Sequence, residues 1–426
     1  MAGKMTRRQF IGRGAGAVVL GAAMRPRATG GATPVTITHL DFVTPNDGSP
    51  RGNALANNLK AFAEAHPDIK VEVQTIPSTE IPQQLLKSTA AGKPPDVTKV
   101  HLPDLSAQVD AGTVEALDPF VSGWDKNDWL IGWDSTTIGG KKWAIPWDYR
   151  PTVLLYRKKI LSDRGVAVPT TWAEVLAGAV KIGSDNPIGF GIGLSQSQNA
   201  DSLAELFSCG MISAGGVMFN PNGSTAINSE AGVMTFQWIA ELFSKGGTSK
   251  AAVNHTYFTI ADGLAANTIA MTLLGSQRVA AVAATAKDDA GFAPPPGWSA
   301  SKPGQSNPLS QTLVVSKRSK HKEEAIRFIE FMTGPRAAVE LARGGEVPPR
   351  KSSYNDPFFA TPPAANVSRL KEILLQRGGH VSAYPPKYWD LKQAIAGAAQ
   401  SMVLQKRTPK EVLDEAAKKY NVLIGA

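Results

Sequence analysis

Residues 35–40 (VTITHL), 69–73 (IKVEV) and 96–100 (DVTKV) are three short segments rich in β-branched residues, and they decide the fold. Each has the length and the apolar pattern of a strand. Two segments with helical spacing of apolar residues separate them, 53–66 (NALANNLKAFAEAH) and 81–91 (IPQQLLKSTAA). The order strand, helix, strand, helix, strand predicts a parallel sheet whose strands are joined by crossover helices.

The remainder of the chain continues this alternation, which predicts an α/β fold throughout. Thr171 and Glu174 have the spacing of a capping box, so a helix is predicted to start there. Gly334 and Pro335 predict the end of the helix before them. Further strands are predicted at 143–146, 152–156 and 313–315, and further helices at 231–244, 323–332, 388–404 and 409–423.

The positive charge of the chain is concentrated at its start. The formal net charge is +9, but six of the 45 Lys and Arg residues lie within residues 1–32, which contain no Asp or Glu. The remainder therefore carries 39 basic and 36 acidic residues, without a long basic run. This distribution gives little support to a surface that binds nucleic acid.

The first 32 residues have the pattern of an export signal. A twin-arginine motif at 5–11 (MTRRQFI) precedes the apolar stretch 15–24 and the small residues 28–32 (ATGGA). This order predicts a twin-arginine signal peptide, cleavage after Ala32 and a periplasmic protein. No cysteine lies near the predicted cleavage site, so no lipid anchor is expected, and no other apolar run is long enough to span a bilayer.

The sequence lacks the common motifs of enzymes and metal sites. The single cysteine, Cys209, lies in an apolar segment and is predicted to be a buried, inert thiol. The six histidines show no metal-ligand spacing, and the Gly-x-Ser-x-Gly, His-Glu-x-x-His and phosphate-loop motifs are absent. We therefore expect no cofactor, no metal and no enzymatic activity. An exported carbohydrate-active enzyme is the least favoured alternative.

Nine short segments, in order, resemble the extracellular solute-binding proteins (family 1) of bacterial ABC importers, the group that includes maltose-binding protein. The resemblance extends over residues 33–426. The segments are 62–71 (FAEAHPDIKV), 91–97 (AGKPPDV), 111–118 (AGTVEALD), 144–146 (AIP), 154–158 (LLYRK), 169–172 (PTTW), 270–275 (AMTLLG), 319–325 (SKHKEEA) and 408–413 (TPKEVL).

The resemblance implies a two-lobe periplasmic binding protein fold of type II, in which each lobe is a sheet flanked by helices. The ligand would lie in the cleft between the lobes, and closure about hinges would grip it. The expected N-terminal lobe is 33–147 plus 305–333, and the expected C-terminal lobe is 150–296 plus 337–426. The expected hinges are near 147–150, 294–304 and 333–336.

The candidate ligand-binding residues lie where predicted strands end at this cleft, because ligands of open α/β sheets bind at strand carboxyl ends. A sugar needs aromatic rings for its apolar faces and fixed polar groups for its hydroxyls. The candidates are Asp41, Phe42, Asp47, His101, Asp104, Trp147, Asp148, Tyr149, Arg150, Gly275, Ser276, Gln277, Trp298, Gly345 and Glu346.

Several of these candidates have an equally simple structural interpretation. Asp47 fits a turn, Asp104 fits a helix cap, and the segment 147–150 (WDYR) fits hinge packing. The related proteins have an aromatic platform at the position of Gln277, which puts stacking there in doubt. Trp298 is the candidate replacement.

The function implied is that of the substrate-binding component of an ABC importer, which captures a sugar or polyol and delivers it to the membrane permease. Expected partners are the permease subunits with their ATPase and the twin-arginine export machinery, and the protein is expected to be a monomer. The alternative ligand is glycerol 3-phosphate or a glycerophosphodiester. It is suggested by Arg150, Arg278 and Arg343 near the predicted cleft, since Arg suits phosphate recognition.

Overall fold

The computed structural model describes residues 33–131, 133–197, 200–378, 384–385 and 387–426. The predicted signal peptide, its twin-arginine motif and its cleavage site lie outside the described residues. The strands are β1 (Val35–Asp41), β2 (Ile69–Thr75), β3 (Val97–His101), β4 (Thr137–Ile138), β5 (Lys141–Lys142), β6 (Ile145–Pro146), β7 (Thr152–Arg157), β8 (Ile188–Gly191), β9 (Ile269–Gly275), β10 (Ala290–Ala293) and β11 (Gln311–Val315).

The helices alternate with these strands along most of the chain. They are α1 (Pro50–Ala65), α2 (Ile81–Ala90), α3 (Leu105–Asp110), α4 (Asp118–Val121), α5 (Lys158–Asp163), α6 (Trp172–Ile182), α7 (Asp201–Ser213), α8 (Glu230–Ser244), α9 (Tyr257–Ala265), α10 (Gln277–Ala286), α11 (Lys322–Met332), α12 (Pro335–Arg343), α13 (Ala365–Arg377), α14 (Tyr388–Gln405) and α15 (Pro409–Ile424). Short 3₁₀ turns include Leu102–Asp104, directly after β3.

The first lobe is built on a five-stranded sheet of order β2-β1-β3-β11-β6. Strand β1 is parallel to β2 and β3, which confirms the predicted parallel arrangement, while β11 is antiparallel to β3 and β6. The sheet is mixed because β11 returns from the other lobe. Helix α1 begins at Pro50, three residues before the predicted start, because Ser49 Oγ caps it by accepting the Gly52 backbone N–H at 3.0 Å.

The second lobe is built on a four-stranded sheet of order β10-β7-β9-β8. The predicted capping box is present at α6, where Thr171 and Glu174 bond reciprocally. Trp172 packs within this lobe, with its ring 4.8 Å from that of Trp238. Cys209 is fully buried, as predicted, and burial raises the pKa of its thiol to about 12.

Three segments of the chain lie side by side between the two sheets. Tyr149 forms a backbone bridge with Val347, and Arg150 forms one with Leu309. The predicted helix end near Pro335 is confirmed, since α11 ends at Met332. Pro335 also begins α12, which packs against α1 and α11 of the first lobe.

The chain therefore forms two α/β lobes with a cleft between them. Among the helices of the described residues, none combines the length and the apolar composition that crossing a bilayer requires.

Candidate functional site

A cavity of about 390 Å³ lies between the two lobes, where strands of both sheets end. On the side of the first sheet, Phe42 follows β1, His101 ends β3 and Gln311 begins the antiparallel β11. On the other side, Gln277 begins α10 shortly after β9. This is the position at which α/β sheets bind ligands, and the volume is within the range of small-molecule sites.

Phe42 and His101 form a flat wall on the first lobe. Their ring centroids are 5.6 Å apart and the rings are 9° from parallel. The imidazole Nδ1 of His101 lies 2.7 Å from the amide Nε2 of Gln311. Burial, together with the positive charge of Arg150, lowers the pKa of His101 to about 3. His101 is therefore uncharged at neutral pH and offers an aromatic face and hydrogen-bonding nitrogens.

The second lobe contributes further aromatic rings, each with a positive charge over it. The guanidinium carbon of Arg278 lies 4.9 Å from the ring centroid of Tyr257 and 4.8 Å from that of Phe258. The ammonium nitrogen of Lys392 lies 3.5 Å from the ring of Trp389. These cation–π contacts hold the rings and the charges in fixed positions. The lining rings of this lobe are Tyr257, Phe258, Tyr388 and Trp389.

Two arginines of the cavity wall share one buried carboxylate. Glu346 lies 2.7 Å from Arg51 and 3.2 Å from Arg150. Arg150 also donates from Nε to Asp148 at 2.6 Å. Burial opposes the charge of Arg150, but the charges of Asp148 and Glu346 outweigh it and raise its pKa. Both guanidinium groups are thus paired with protein carboxylates before any ligand arrives.

Helix α7 presents Asp201, Glu205 and Ser208 to the cavity, at a spacing that places them on one side of the helix. Asp201 is paired with Lys392 of α14. Glu205 is only 6% exposed, and its Oε2 has no hydrogen-bond partner among the described residues. Burial and the nearby Asp201 raise the pKa of Glu205 to about 8, although the Gly275 backbone N–H opposes this. The group is therefore mostly protonated at neutral pH.

Of the residues predicted from the sequence, Phe42, His101, Arg150 and Gln277 line the cavity. Gln277 donates from Nε2 to the Tyr257 hydroxyl at 2.8 Å. The sequence thus identified part of the wall on both lobes.

Asp41 and Trp147 lie behind this wall, where they enclose a buried lysine. Lys99 Nζ is 2.7 Å from Asp41 Oδ2 and 3.4 Å from the centroid of the Trp147 ring. Burial raises the pKa of Asp41, but the charge of Lys99 and the hydrogen bond from His39 outweigh it, so the pKa is well below its usual range. The same lysine lies 4.9 Å from the ring of Phe42 and so supports the wall.

The other predicted residues on the first lobe and at the crossing also lie outside the cavity lining. Asp47 is in an exposed turn and accepts the Ser49 backbone N–H at 2.8 Å. Asp104 makes no capping hydrogen bond and instead accepts the indole N–H of Trp389. Asp148 and Glu346 hold Arg150 from behind. Tyr149 is fully buried and donates its hydroxyl to the Ile131 carbonyl at 2.7 Å.

The predicted residues near β9 and α10 lie next to the cavity wall but do not line it. Gly275 leaves room for Gln277, since a Cβ at residue 275 would lie 2.4 Å from Gln277 Oε1. Ser276 is buried directly before α10. Gly345 has a φ of +84° and lies close to Ala280 of α10.

Trp298 and Arg343 lie away from the cavity lining. The Trp298 indole N–H donates to the Gly210 carbonyl at 2.8 Å, and its ring is 5.7 Å from that of Trp172. Arg343 is exposed and pairs with Glu340 at 2.6 Å. The arginines of the cavity wall are therefore Arg51, Arg150 and Arg278.

Sequence reasoning missed most of the second lobe's wall. Trp389 and Lys392 are three residues apart at the start of α14, a spacing that places an aromatic ring and a cation on one helix face. The spacing of this ring and this cation could be recognised in the sequence, but nothing in the sequence indicated that this face of α14 packs toward α7. In the part of the chain that the structure describes, no group of three or more His, Cys, Asp or Glu is arranged to hold a metal ion.

Comparison with known proteins agrees with this architecture. The model of the bacterial extracellular solute-binding protein family matches residues 46–339. A probable ABC transporter-binding protein of Deinococcus radiodurans is 26% identical over 339 residues, which cover 75% of each chain.

Two solved structures illustrate the likeness in fold. The GacH receptor of Streptomyces glaucescens, solved unliganded and with acarbose, has a TM-score of 0.77 at 20% identity, covering 92% of this chain and 99% of that one. UgpB of Mycobacterium tuberculosis in complex with glycerophosphocholine has a TM-score of 0.74 at 19% identity, covering 93% and 99%.

The family model matches more than half of the chain, and the structure has two lobes around a lined cleft. This protein therefore belongs to the bacterial extracellular solute-binding protein family.

Proposed function

We propose that the protein captures a sugar or polyol in the cavity between its lobes and delivers it to the permease of an ABC importer. The observation that carries this proposal is the wall itself, which combines aromatic rings with fixed polar groups from both lobes. Sugar rings need apolar faces to stack on and hydrogen-bonding groups for their hydroxyls. The complex of the related fold with acarbose, a molecule of hydroxylated rings, adds support.

The polar atoms without partners in the wall favour a hydroxylated ligand. Among the described residues, Gln277 Oε1 and Gln311 Oε1 are acceptors without a donor, and Arg278 Nε is a donor without an acceptor. A hydroxyl group both donates and accepts, so a polyol satisfies both kinds of atom. An ionised phosphate group can accept from Arg278 Nε but cannot donate to the two amide oxygens, which only hydroxyl groups of the ligand could satisfy.

The lobes are proposed to close on the ligand about the segments that cross between them. We propose the division into 33–147 plus 305–333 and 150–296 plus 337–426 with one change, that α12 belongs to the first lobe. The bridges Tyr149–Val347 and Arg150–Leu309 support a crossing at 147–150. The same bridges favour the other two crossings near residues 309 and 347. The expected hinges at 294–304 and 333–336 fit less well, because Gly297 pairs with Thr171 of the second lobe and α12 packs on the first lobe.

We also propose export by the twin-arginine route, a periplasmic location, a monomeric state and no enzymatic activity. The basic motif at 5–11 supports the export route. Replacing Arg7 and Arg8 by Lys is expected to leave the precursor in the cytoplasm, as fractionation and immunoblotting would detect. Unchanged export of that variant would contradict the route.

The ligand is tested by a thermal-shift screen of residues 33–426 with monosaccharides, disaccharides, polyols and glycerol phosphates, followed by calorimetry of each hit. A ligand that binds only the folded state raises the melting temperature. A shift with a sugar or polyol that is lost in Trp389→Ala supports the proposal. Binding of the same compound with unchanged affinity by Trp389→Ala would place the ligand elsewhere.

A glycerophosphodiester or glycerol 3-phosphate is the second candidate, favoured by one observation. Arg278 lines the cavity without a carboxylate salt-bridge partner among the described residues, unlike Arg51 and Arg150. The complex of the related fold with glycerophosphocholine gives this alternative support. A thermal shift with phosphorylated glycerols alone, abolished by Arg278→Gln, would replace the sugar assignment.

A further inference from the structure

We propose that Glu205 recognises the ligand as an uncharged carboxyl group and donates a hydrogen bond from Oε2 to a ligand hydroxyl or ether oxygen. This inference rests on the proposed function and deepens it, because it assigns the polar group at the α7 wall. It implies that the ligand must present an acceptor oxygen there, and that capture weakens when Glu205 ionises.

The position of Glu205 supports a role toward the cavity. The residue lines the cavity from α7 yet is 94% buried, since it is only 6% exposed. Its Oε2 has no hydrogen-bond partner among the described residues. The torsion that orients a Glu carboxyl group is soft, so its oxygens can reorient when a ligand enters the cavity.

The surroundings of Glu205 favour its uncharged form. Lys392, the nearest cation on α14, is already paired with Asp201, one helical turn before Glu205 on α7. Arg278 of α10 is held over Tyr257 and Phe258. No cation in the described part of the chain lies within ion-pair distance of Glu205, so the neutral form is favoured, in agreement with its raised pKa.

A neutral carboxyl group that lacks a partner for its O–H is costly to bury, and a ligand oxygen removes that cost. The ionised form would instead place a second negative charge beside Asp201 in the same wall. Ligand oxygens would then face a carboxylate that has no proton to donate. The geometry and the charges therefore both favour binding to the protonated form.

Several other titratable or charged groups face Glu205. They lie on α7 itself, on the three neighbouring helices α9, α10 and α14, and at Tyr384 before α14, and burial raises the pKa of the tyrosines and of the thiol well above neutrality. These groups are Asp201 and Cys209 on α7, Tyr257 on α9, Arg278 on α10, Tyr384, and Tyr388 and Lys392 on α14.

The test compares wild-type protein, Glu205→Gln and Glu205→Leu by calorimetry between pH 6.5 and 9.5. The probes are maltose, trehalose, sorbitol and glycerol 3-phosphate. We expect wild-type affinity to fall above pH 8, approaching tenfold per pH unit. Glu205→Gln keeps a donor and an acceptor, so it should bind within about threefold of wild type at pH 6.5, without that pH dependence. Glu205→Leu should bind tenfold or more weakly.

The outcomes separate this inference from the function on which it rests. If wild-type protein binds none of the probes and no sugar or polyol of the thermal-shift screen, the proposed function fails and the inference fails with it. If wild-type protein binds a probe but Glu205→Leu binds it equally well, only the inference is overturned. Affinity of the wild type that is constant or rises from pH 6.5 to 9.5 also overturns it, since the ionised form would then bind.

Discussion

Trp389 and Asp104 are hydrogen-bonded to each other across the cleft, with the indole N–H of Trp389 donating to the Asp104 carboxyl group. Asp104 belongs to the turn after β3 in the first lobe, and Trp389 begins α14 in the second. Asp104 is 4% exposed, and burial raises its pKa to about 6 although the bond from Trp389 opposes this. Close by, the Ser106 hydroxyl donates to the Tyr384 carbonyl. One side of the cleft is thus fastened by the protein itself.

Replacing Trp389 by Phe is expected to weaken ligand binding about tenfold. The change keeps a ring in the wall but leaves Asp104 buried without its donor, which costs about 1–3 kcal/mol in the closed arrangement. Calorimetry with a ligand from the screen measures the loss. Trp143→Phe is the matched control, because it removes an indole hydrogen bond to Ile138 at a residue outside the cavity lining. Equal affinities of both variants would mean that the contact does not contribute to closure.

The stability of ligand-free protein is expected to depend on pH through Glu205. Its pKa is raised from 4.5 to about 8, so its contribution is fully present below pH 4.5 and is lost as pH rises to 8. Glu205→Gln has no such group to ionise. Its stability relative to wild type should therefore increase between pH 5 and pH 8.5, by more than about 1 kcal/mol. Urea unfolding at both pH values measures the difference.

The exposed Glu372 on α13 provides the control for that measurement. Its replacement by Gln should change stability equally at pH 5 and pH 8.5. A difference between wild type and Glu205→Gln that stays constant with pH would show that Glu205 is not held in its neutral form.

Lys99→Met is expected to destabilise the fold by about 3–5 kcal/mol, because it leaves the Asp41 carboxylate buried without its cation. The double variant Asp41→Asn/Lys99→Met removes both charges, and the amide oxygen introduced at position 41 can still accept the backbone N–H groups of Phe42 and Val43. It should lose less than the sum of the single variants. Urea unfolding gives the three values.

The exposed pair Lys159–Asp163 serves as the comparison for the buried pair. Lys159→Met should leave the unfolding midpoint unchanged, since exposed pairs contribute little. If Lys99→Met were as stable as Lys159→Met, the buried pair would not support the wall behind Phe42.

Gly275→Ala is expected to weaken ligand binding about three- to tenfold with little change in stability. The added Cβ would lie 2.4 Å from Gln277 Oε1, so the Gln277 side chain must move and give up its bond to Tyr257. In a Gln277→Ala background the same change should have no further effect on affinity, as calorimetry of the four proteins would measure. Independent losses in the double variant would rule out this coupling.

Much of the fold could be predicted because local rules agree with it. β-branched segments became β1, β2 and β3, and Thr171 with Glu174 caps α6 as expected. Helix α7 was not predicted, and the reason is physical. Residues 202–211 are all buried, so the helix has no polar face and no amphipathic period to detect. The helix that carries Asp201 and Glu205 therefore could not be identified from sequence periodicity.

The sequence by itself determined the α/β class, the strand ends that border the cavity and the place of Phe42 and His101 in its first-lobe wall. These features follow from periodicity and from the neighbours of each residue along the chain. Only the tertiary structure decided that Trp389 meets Asp104 and that Lys392 pairs with Asp201. Those partners are about 190 to 285 residues apart, and a residue type does not specify which distant charge will neutralise it. The same packing decided that Glu205 is left without a cation, and with it the charge of the wall that faces the ligand.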